Sequence, residues 1–251
     1  MTFTVLDTGP SPNHGDRPAG MPVDMLVLHY TGMESEAAAI ARLCDPAAGV
    51  SSHYVVCEDG RILRLVAEGQ RAWHAGVGSW RGHDDINDRS IGIEIVNGGH
   101  DYGLPDFPDA QVAAVIALSH DILRRNAIPA RNVVAHSDTA PMRKMDPGEK
   151  FPWQALASAG IGHWVAPAPM AGGHFLSIGD QGEGVARLQA LFADYGYGVA
   201  ITGIYDEQTR AVVAAFQRHF RPSVVDGVAD RSTLTTLAHL ISVLDDAGTG
   251  A

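Results

Sequence analysis

Residues 136–148 hold an imidazole, His136, a lysine, Lys144, and a carboxylate, Asp146. Imidazole nitrogen and carboxylate oxygen are donors suited to a catalytic zinc, and a lysine beside them adds a positive charge. Pro141 and Pro147 deny the segment a continuous helix, so a shaped loop is expected, able to wrap one ion from two sides. A second imidazole, His29, ends the apolar run Met25-Leu26-Val27-Leu28. At the end of such a strand it is either a hydrogen-bonded core residue or a ligand. Glu94 lies inside Ser90-Ile91-Gly92-Ile93-Glu94-Ile95-Val96-Asn97. A carboxylate in a strand so apolar is costly to bury unless it is paired or near a metal. The alternative is an exposed face of an edge strand.

Placed around one ion, His29, His136 and Asp146 would leave a tetrahedral zinc with a fourth position open to water. Glu94 could take that water's proton and pass it to a leaving nitrogen. Lys144, two positions from Asp146, could stabilise an oxyanion without being a ligand. These parts suit hydrolysis of an amide and do not specify which one. The structural alternative makes the two histidines separate core residues and Asp146 a turn cap before Pro147.

The elements that must position these residues are legible in part. The run at 25–28 reads as a strand buried on both faces, and Asn132-Val133-Val134-Ala135 as a strand ending at His136. In the strand at 90–97, Ile91, Ile93 and Ile95 share one face and Gly92, Glu94 and Val96 the other. Residues 52–57 and 62–66 flank Asp59-Gly60 and predict a hairpin. Helices are expected over 34–43 and 109–126, the latter with an apolar stripe at Val112, Val115, Ile116, Ile122 and Leu123. Arg71-Ala72-Trp73-His74-Ala75-Gly76 fits neither period and reads as a loop, either a stacking wall or an ordinary packed surface loop. Residues 7–22 read as an extended lead-in, and the Pro- and Gly-rich residues 165–173 as a linker. Beyond it, Asp180 with Glu183 resembles a capping box. Asp206 and Asp230 head two more helical patterns, which together make a small three-helix bundle. Of the remaining histidines, His53 and His74 are placed for a cleft role, whereas His120, His219 and His239 read as ordinary helix residues.

A chain of 251 residues is long enough for one large domain or a domain plus a small module. Its net charge of −11 argues against nucleic acid or an anionic membrane surface as partner. Two cysteines, Cys44 and Cys57, make no disulfide framework. The stretch Met1-Thr2-Phe3-Thr4-Val5-Leu6-Asp7 lacks the basic and apolar regions of a signal peptide, and no run reaches the ~20 apolar residues of a spanning helix.

The ordered blocks Leu28-His29-Tyr30-Thr31, Ser52-His53-Tyr54, Arg71 to Gly76, Ser90 to Ile95, and His136-Ser137-Asp138 with Arg143 to Gly148 resemble the type 2 zinc N-acetylmuramoyl-L-alanine amidases. The likeness covers roughly residues 20–160. It implies an α/β fold, a mixed central sheet flanked by helices, followed here by the helical bundle. It implies one zinc ion held by His29, His136 and Asp146, with Glu94 and Lys144 catalytic. The bond cleaved would be the amide between the lactyl group of N-acetylmuramic (or anhydro-muramic) acid and L-alanine of the stem peptide. The resemblance also makes the Trp73-His74 loop a wall of the substrate groove, and Tyr30, His53, Tyr54, Asn97 and Arg143 are further candidates for substrate contact.

Residues 176–245 resemble the small helical peptidoglycan-binding domain through Gly203-Ile204-Tyr205-Asp206, Ala215-Phe216-Gln217 and Asp226-Gly227-Val228-Ala229-Asp230. The expected organisation is thus an amidase domain at 1–165, a linker at 166–175 and a peptidoglycan-binding helical domain at 176–251. The expected partner is peptidoglycan, as fragments or wall polymer. A wall-binding module points to the cell envelope; the leaderless start is what a cytoplasmic recycling enzyme shows. The competing class is a non-catalytic peptidoglycan sensor on the same scaffold, whose mark would be a lost zinc ligand.

Overall fold

The apolar runs that end in His29 and surround Glu94 pair side by side in the middle of a six-stranded sheet. The computed structural model describes residues 4–7 and 9–248; residues 1–3, 8 and 249–251, among them the first ones read for a leader, lie outside the described residues. The strand order is β1 (Val5–Asp7), β5 (Ile62–Arg64), β4 (Tyr54–Val56), β7 (Ser90–Ile95), β3 (Met25–Tyr30) and β8 (Val133–Ala135). β4 and β5 form the expected antiparallel hairpin, with Gly60 at φ 86° in its turn, where a side chain would be strained. The other neighbouring strands run parallel, so the sheet is mixed.

Register decides which face each residue takes. His29 lies opposite Glu94, and Glu94 opposite Val55. Alternation then puts Leu26, Leu28, Tyr54, Val56, Ile91, Ile93 and Ile95 on the other face. They pack there beneath α3 (Asp109–Arg125), whose Val115, Leu118 and Ile122 form its buried stripe. α1 (Glu36–Cys44) starts at Ser35, whose hydroxyl accepts the Ala38 N–H, and stops at Asp45, before Pro46.

Three local expectations differ from the structure. Arg71 and Ala72 belong to β6 (Gln70–Ala72), which pairs antiparallel with β2 (His14–Asp16) in the lead-in. A partner so far away in sequence leaves no local pattern, and the loop begins only at Trp73. The segment after β8 makes one helical turn, α4 (His136–Thr139), before Pro141 ends it. The capping box does not form: Asp180 accepts the Ser177 N–H instead, and Gly182 at the helix start offers no side chain.

After α2 (Ile86–Arg89), α3, α4 and α5 (Trp153–Ser158) the chain continues in α6 (Glu183–Tyr195), α7 (Glu207–Phe220) and α8 (Arg231–Gly248). Asp206 and Asp230 cap the last two, accepting from Thr209 N–H at 2.9 Å and Thr233 N–H at 2.7 Å. The apolar stripes of these helices do more than pack on one another. Val185, Leu188, Phe192, Val212, Phe216 and Leu237 share one core with Met25, Val27, Trp80 and Val134 from the sheet and its loops. Trp80 is 1% exposed and meets Tyr195 and Tyr197 edge-to-face, with ring centroids 6.0 and 5.1 Å away. Among the described residues no helix is long and apolar enough to cross a membrane.

Candidate active site

β3 and β8 deliver His29 and His136 to the same end of the sheet, and the turns after α4 return the chain so that Asp146 joins them. The three meeting atoms form a near-equilateral triangle. His29 Nδ1 lies 2.9 Å from His136 Nδ1 and 3.0 Å from Asp146 Oδ2, and the last two are 2.9 Å apart. All three residues are buried.

The outer nitrogens of the rings decide where the protons sit. His136 Nε2 lies 2.8 Å from the carbonyl of Ala75, an acceptor, so this nitrogen carries the proton and Nδ1 keeps a lone pair. His29 is fixed through a longer chain. Ser90 donates its hydroxyl proton to Ile86 O at 2.6 Å, so its oxygen accepts from His74 Nε2–H at 3.0 Å. His74 Nδ1 then accepts from His29 Nε2–H at 3.1 Å, which leaves His29 Nδ1 with its lone pair facing the triangle. Burial first, and then the neighbouring His136, push the His29 ring down to about 4, so it is neutral near pH 7.

Three lone-pair atoms thus converge at hydrogen-bond distance with every assigned ring proton pointing away. Such a triangle needs a positive charge between its corners, a proton or a metal ion. Two neutral imidazoles and a carboxylate, each ring held by an outer acceptor, are a donor set that fits a divalent metal. His74 has its place by size: it rests on Gly92, where a Cβ would come within 2.4 Å of the ring. The small residue two positions before Glu94, on the same face of the strand, makes room for the ring that orients His29.

Above the triangle opens a cleft of about 360 Å³, lined by Tyr30, Trp73, His74, Glu94, His136, Arg143, Lys144 and Asp146 together with Met33, Arg42 and Met145. Glu94 Oε2 is enclosed and has no hydrogen-bond partner. Burial, then the charge of Asp146, raise its carboxyl well above the usual range, while Lys144 opposes them. Tyr30 is pushed up to about 12 by burial and by Asp146, and its hydroxyl meets His100 Nδ1 at 2.9 Å. The Arg143 guanidinium donates to the carbonyls of Ala75 and Val77, so it braces the loop after Trp73.

Three candidates for substrate contact are not brought to the cleft. His53 is fully buried under the sheet's end; its Nδ1 accepts from Gly92 N–H at 3.0 Å and its Nε2 donates to Gln70 O at 3.1 Å. Tyr54 pairs with Ile93, which puts it on the α3 face, with its hydroxyl on Glu68 at 2.8 Å. Asn97 spends its amide on Pro105 O and Gly99 N–H, shaping a turn. Other residues support the loop and the His29 ring. Asn87 Oδ1 accepts from the N–H groups of His74 and Ala75, and Ser51 Oγ from Trp73 N–H, pinning the loop. Ser90 had a signal: it shares the face of Gly92 and Glu94 by the period of two.

Comparison with known proteins agrees with this geometry. The family model for N-acetylmuramoyl-L-alanine amidase matches residues 19–149, and a peptidoglycan binding domain model matches residues 181–237. N-acetylmuramoyl-L-alanine amidase AmiD of Escherichia coli (strain K12) is 43% identical over 226 residues, 84% of this chain and 79% of that protein. The structure of E. coli AmiD in complex with anhydro-N-acetylmuramic acid-L-Ala-D-gamma-Glu-L-Lys superposes with a TM-score of 0.77 at 40% identity, covering 91% of this chain and 92% of that one. AMPDH3 from Pseudomonas aeruginosa in complex with anhydromuramic pentapeptide gives 0.74 at 34% identity, covering 90% and 94%. With more than half its length matched by the family model and such a relative aligned along most of both chains, the chain belongs to the N-acetylmuramoyl-L-alanine amidase family.

Proposed function

We propose that this protein is a zinc-dependent amidase that hydrolyses the amide between the lactyl group of N-acetylmuramic or anhydro-muramic acid and L-alanine of the peptidoglycan stem peptide. The observation that carries this reading is the triangle of His29, His136 and Asp146, its lone pairs fixed inward, at the floor of a cleft that also holds Glu94 and Lys144. Family membership supports the bond assignment, and the muramyl-peptide complexes of the relatives support the substrate class.

His29, His136 and Asp146 hold the ion. Zinc at that place supplies Lewis acidity, which makes water more acidic and the scissile carbonyl more electrophilic. Glu94, with one carboxylate oxygen free of protein partners, takes the proton shed by the attacking water and delivers it to the departing nitrogen. The C–O bond forms and the C–N bond breaks, leaving a carboxyl on the lactyl group and a free amine on L-alanine. Lys144 has no carboxylate partner among the described residues, and its ammonium hydrogen-bonds the oxygen on which charge develops. Tyr30 and Trp73 wall the cleft, and the His74 and Arg143 side chains hold that wall in shape.

In this reading residues 1–165 form the amidase unit, 166–175 the connector and 176–251 a unit that engages peptidoglycan, a division supported by the two family matches. A unit of that kind has its use at the cell envelope, where we place the protein. The test pairs two variants. Glu94→Gln keeps its zinc by elemental analysis and loses about 10²–10⁴-fold in kcat/KM, whereas His136→Ala loses both metal and turnover. Undiminished turnover in Glu94→Gln would remove Glu94 from the mechanism.

A further inference from the structure

Asp138 lies two residues beyond His136 in α4, and its carboxylate is fully buried. A buried carboxylate is costly unless its oxygens are paired. Here Oδ2 accepts from Ala135 N–H at 2.8 Å and from His219 Nδ1–H at 2.7 Å, and Oδ1 accepts from Tyr197 O–H at 2.8 Å. Ala135 and Asp138 flank His136, so this carboxylate closes the turn on which that ring is mounted. Its two side-chain donors come from the helical region, 59 and 81 residues along the chain.

Both donors are themselves held firmly. The His219 ring is stacked between Trp153 and Phe220, with centroids 3.6 and 3.8 Å away. Tyr197 packs on Trp80, and next to Trp80 the Ser79 N–H donates to Thr139 O, the last residue of the same turn, at 2.7 Å. The helical region therefore grips the His136 turn through buried contacts to Asp138.

We infer that Tyr197 and His219 are positioning residues for the metal centre. Through Asp138 they orient the turn that carries His136, so the helical region contributes to the site's geometry in addition to engaging peptidoglycan. This rests on His136 being a metal ligand.

The test is zinc affinity of the full chain, measured by competition with a chromophoric chelator, alongside thermal unfolding of the same samples. Loss of an outer support typically costs about 10–100-fold in metal affinity, and Asp138 acts one step further out, so about 10-fold weaker binding is expected for Tyr197→Phe and for His219→Leu. His219→Asn, which restores a donor near the place of Nδ1, is expected to bind zinc as the parent does. A role in folding alone would lower Tm and leave the affinity of the folded protein unchanged. Affinities within about 2-fold of the parent in Tyr197→Phe and His219→Leu would overturn the inference. If His219→Leu fails to fold, Tyr197→Phe decides alone, because it removes only one oxygen atom. A parent chain that binds no zinc would overturn the metal reading itself, and this inference with it.

Discussion

Replacing Gly92 by alanine adds one methyl group at a residue outside the cleft, yet the effect should reach the metal. The new Cβ would lie 2.4 Å from His74 Cγ and 2.6 Å from Cδ2 and Nδ1. Carbon atoms rest about 3.5–4.0 Å apart, so the ring must retreat by about 1 Å. That breaks the hydrogen bonds from His29 Nε2 and to Ser90 Oγ, now 3.1 and 3.0 Å long. Overpacking costs about 1–3 kcal/mol and the two bonds about 2 kcal/mol together. Alanine regains about 0.5–1 kcal/mol of the entropy that glycine loses in a strand. The net destabilisation is about 2–4 kcal/mol, which lowers Tm by roughly 5–15 °C in a chain of this size. Because His29 also loses the partner that fixes its tautomer, zinc affinity should fall about 10–100-fold. Differential scanning calorimetry and chelator competition measure the two effects. Unchanged Tm and unchanged zinc affinity would refute the claim that His74 sits on Gly92 to orient His29.

Other perturbations separate the roles of neighbouring residues. Lys144→Met should lower kcat by about 10²–10³-fold at unchanged zinc content, as loss of one oxyanion donor does; steady-state kinetics on a purified muropeptide reports this. Tyr54→Phe removes only the bond to Glu68, costs about 0.5–1.5 kcal/mol in denaturant titration and leaves KM unchanged, since the ring lies on the α3 face. Trp80→Ala empties the core shared by sheet and helices and should destabilise the whole chain by about 3–5 kcal/mol in a single cooperative transition. Two separate transitions, with the first unaffected, would show that the helices do not share that core.

What the sequence could show followed from residue type and short-range period. His29, Glu94 and His136 stand out because a polar group at the end or middle of an apolar strand demands an explanation, and their strands announce themselves by continuous or alternating apolar residues; Asp146 stands out by its place in the proline-bounded loop that follows His136. What it could not show is pairing across distance. Tyr54 stands beside His53 in a recognisable block, but only the register against Ile93 reveals that it faces α3. His219 reads as one more polar residue in a helix, because its partner Asp138 is 81 residues away. Likewise the Pro- and Gly-rich residues 165–173 mark a connector, while nothing local says that the helices beyond it pack on Met25, Val27 and Trp80. The failed capping box at Asp180 has a smaller cause: the helix begins only after Gly182, and the Asp180 carboxylate accepts the N–H of Ser177.

The most direct measurement is mass spectrometry of the products formed from purified muropeptides by the zinc-loaded chain, with a chelated sample as control. The account predicts chelator-sensitive release of free stem peptide, with L-alanine at its amino end, and of the intact muramyl sugar bearing a free lactyl carboxyl. Cleavage within the peptide would contradict the bond assignment while leaving the metal site standing. Binding of the muropeptide without cleavage would contradict the catalytic reading and make the chain a peptidoglycan sensor.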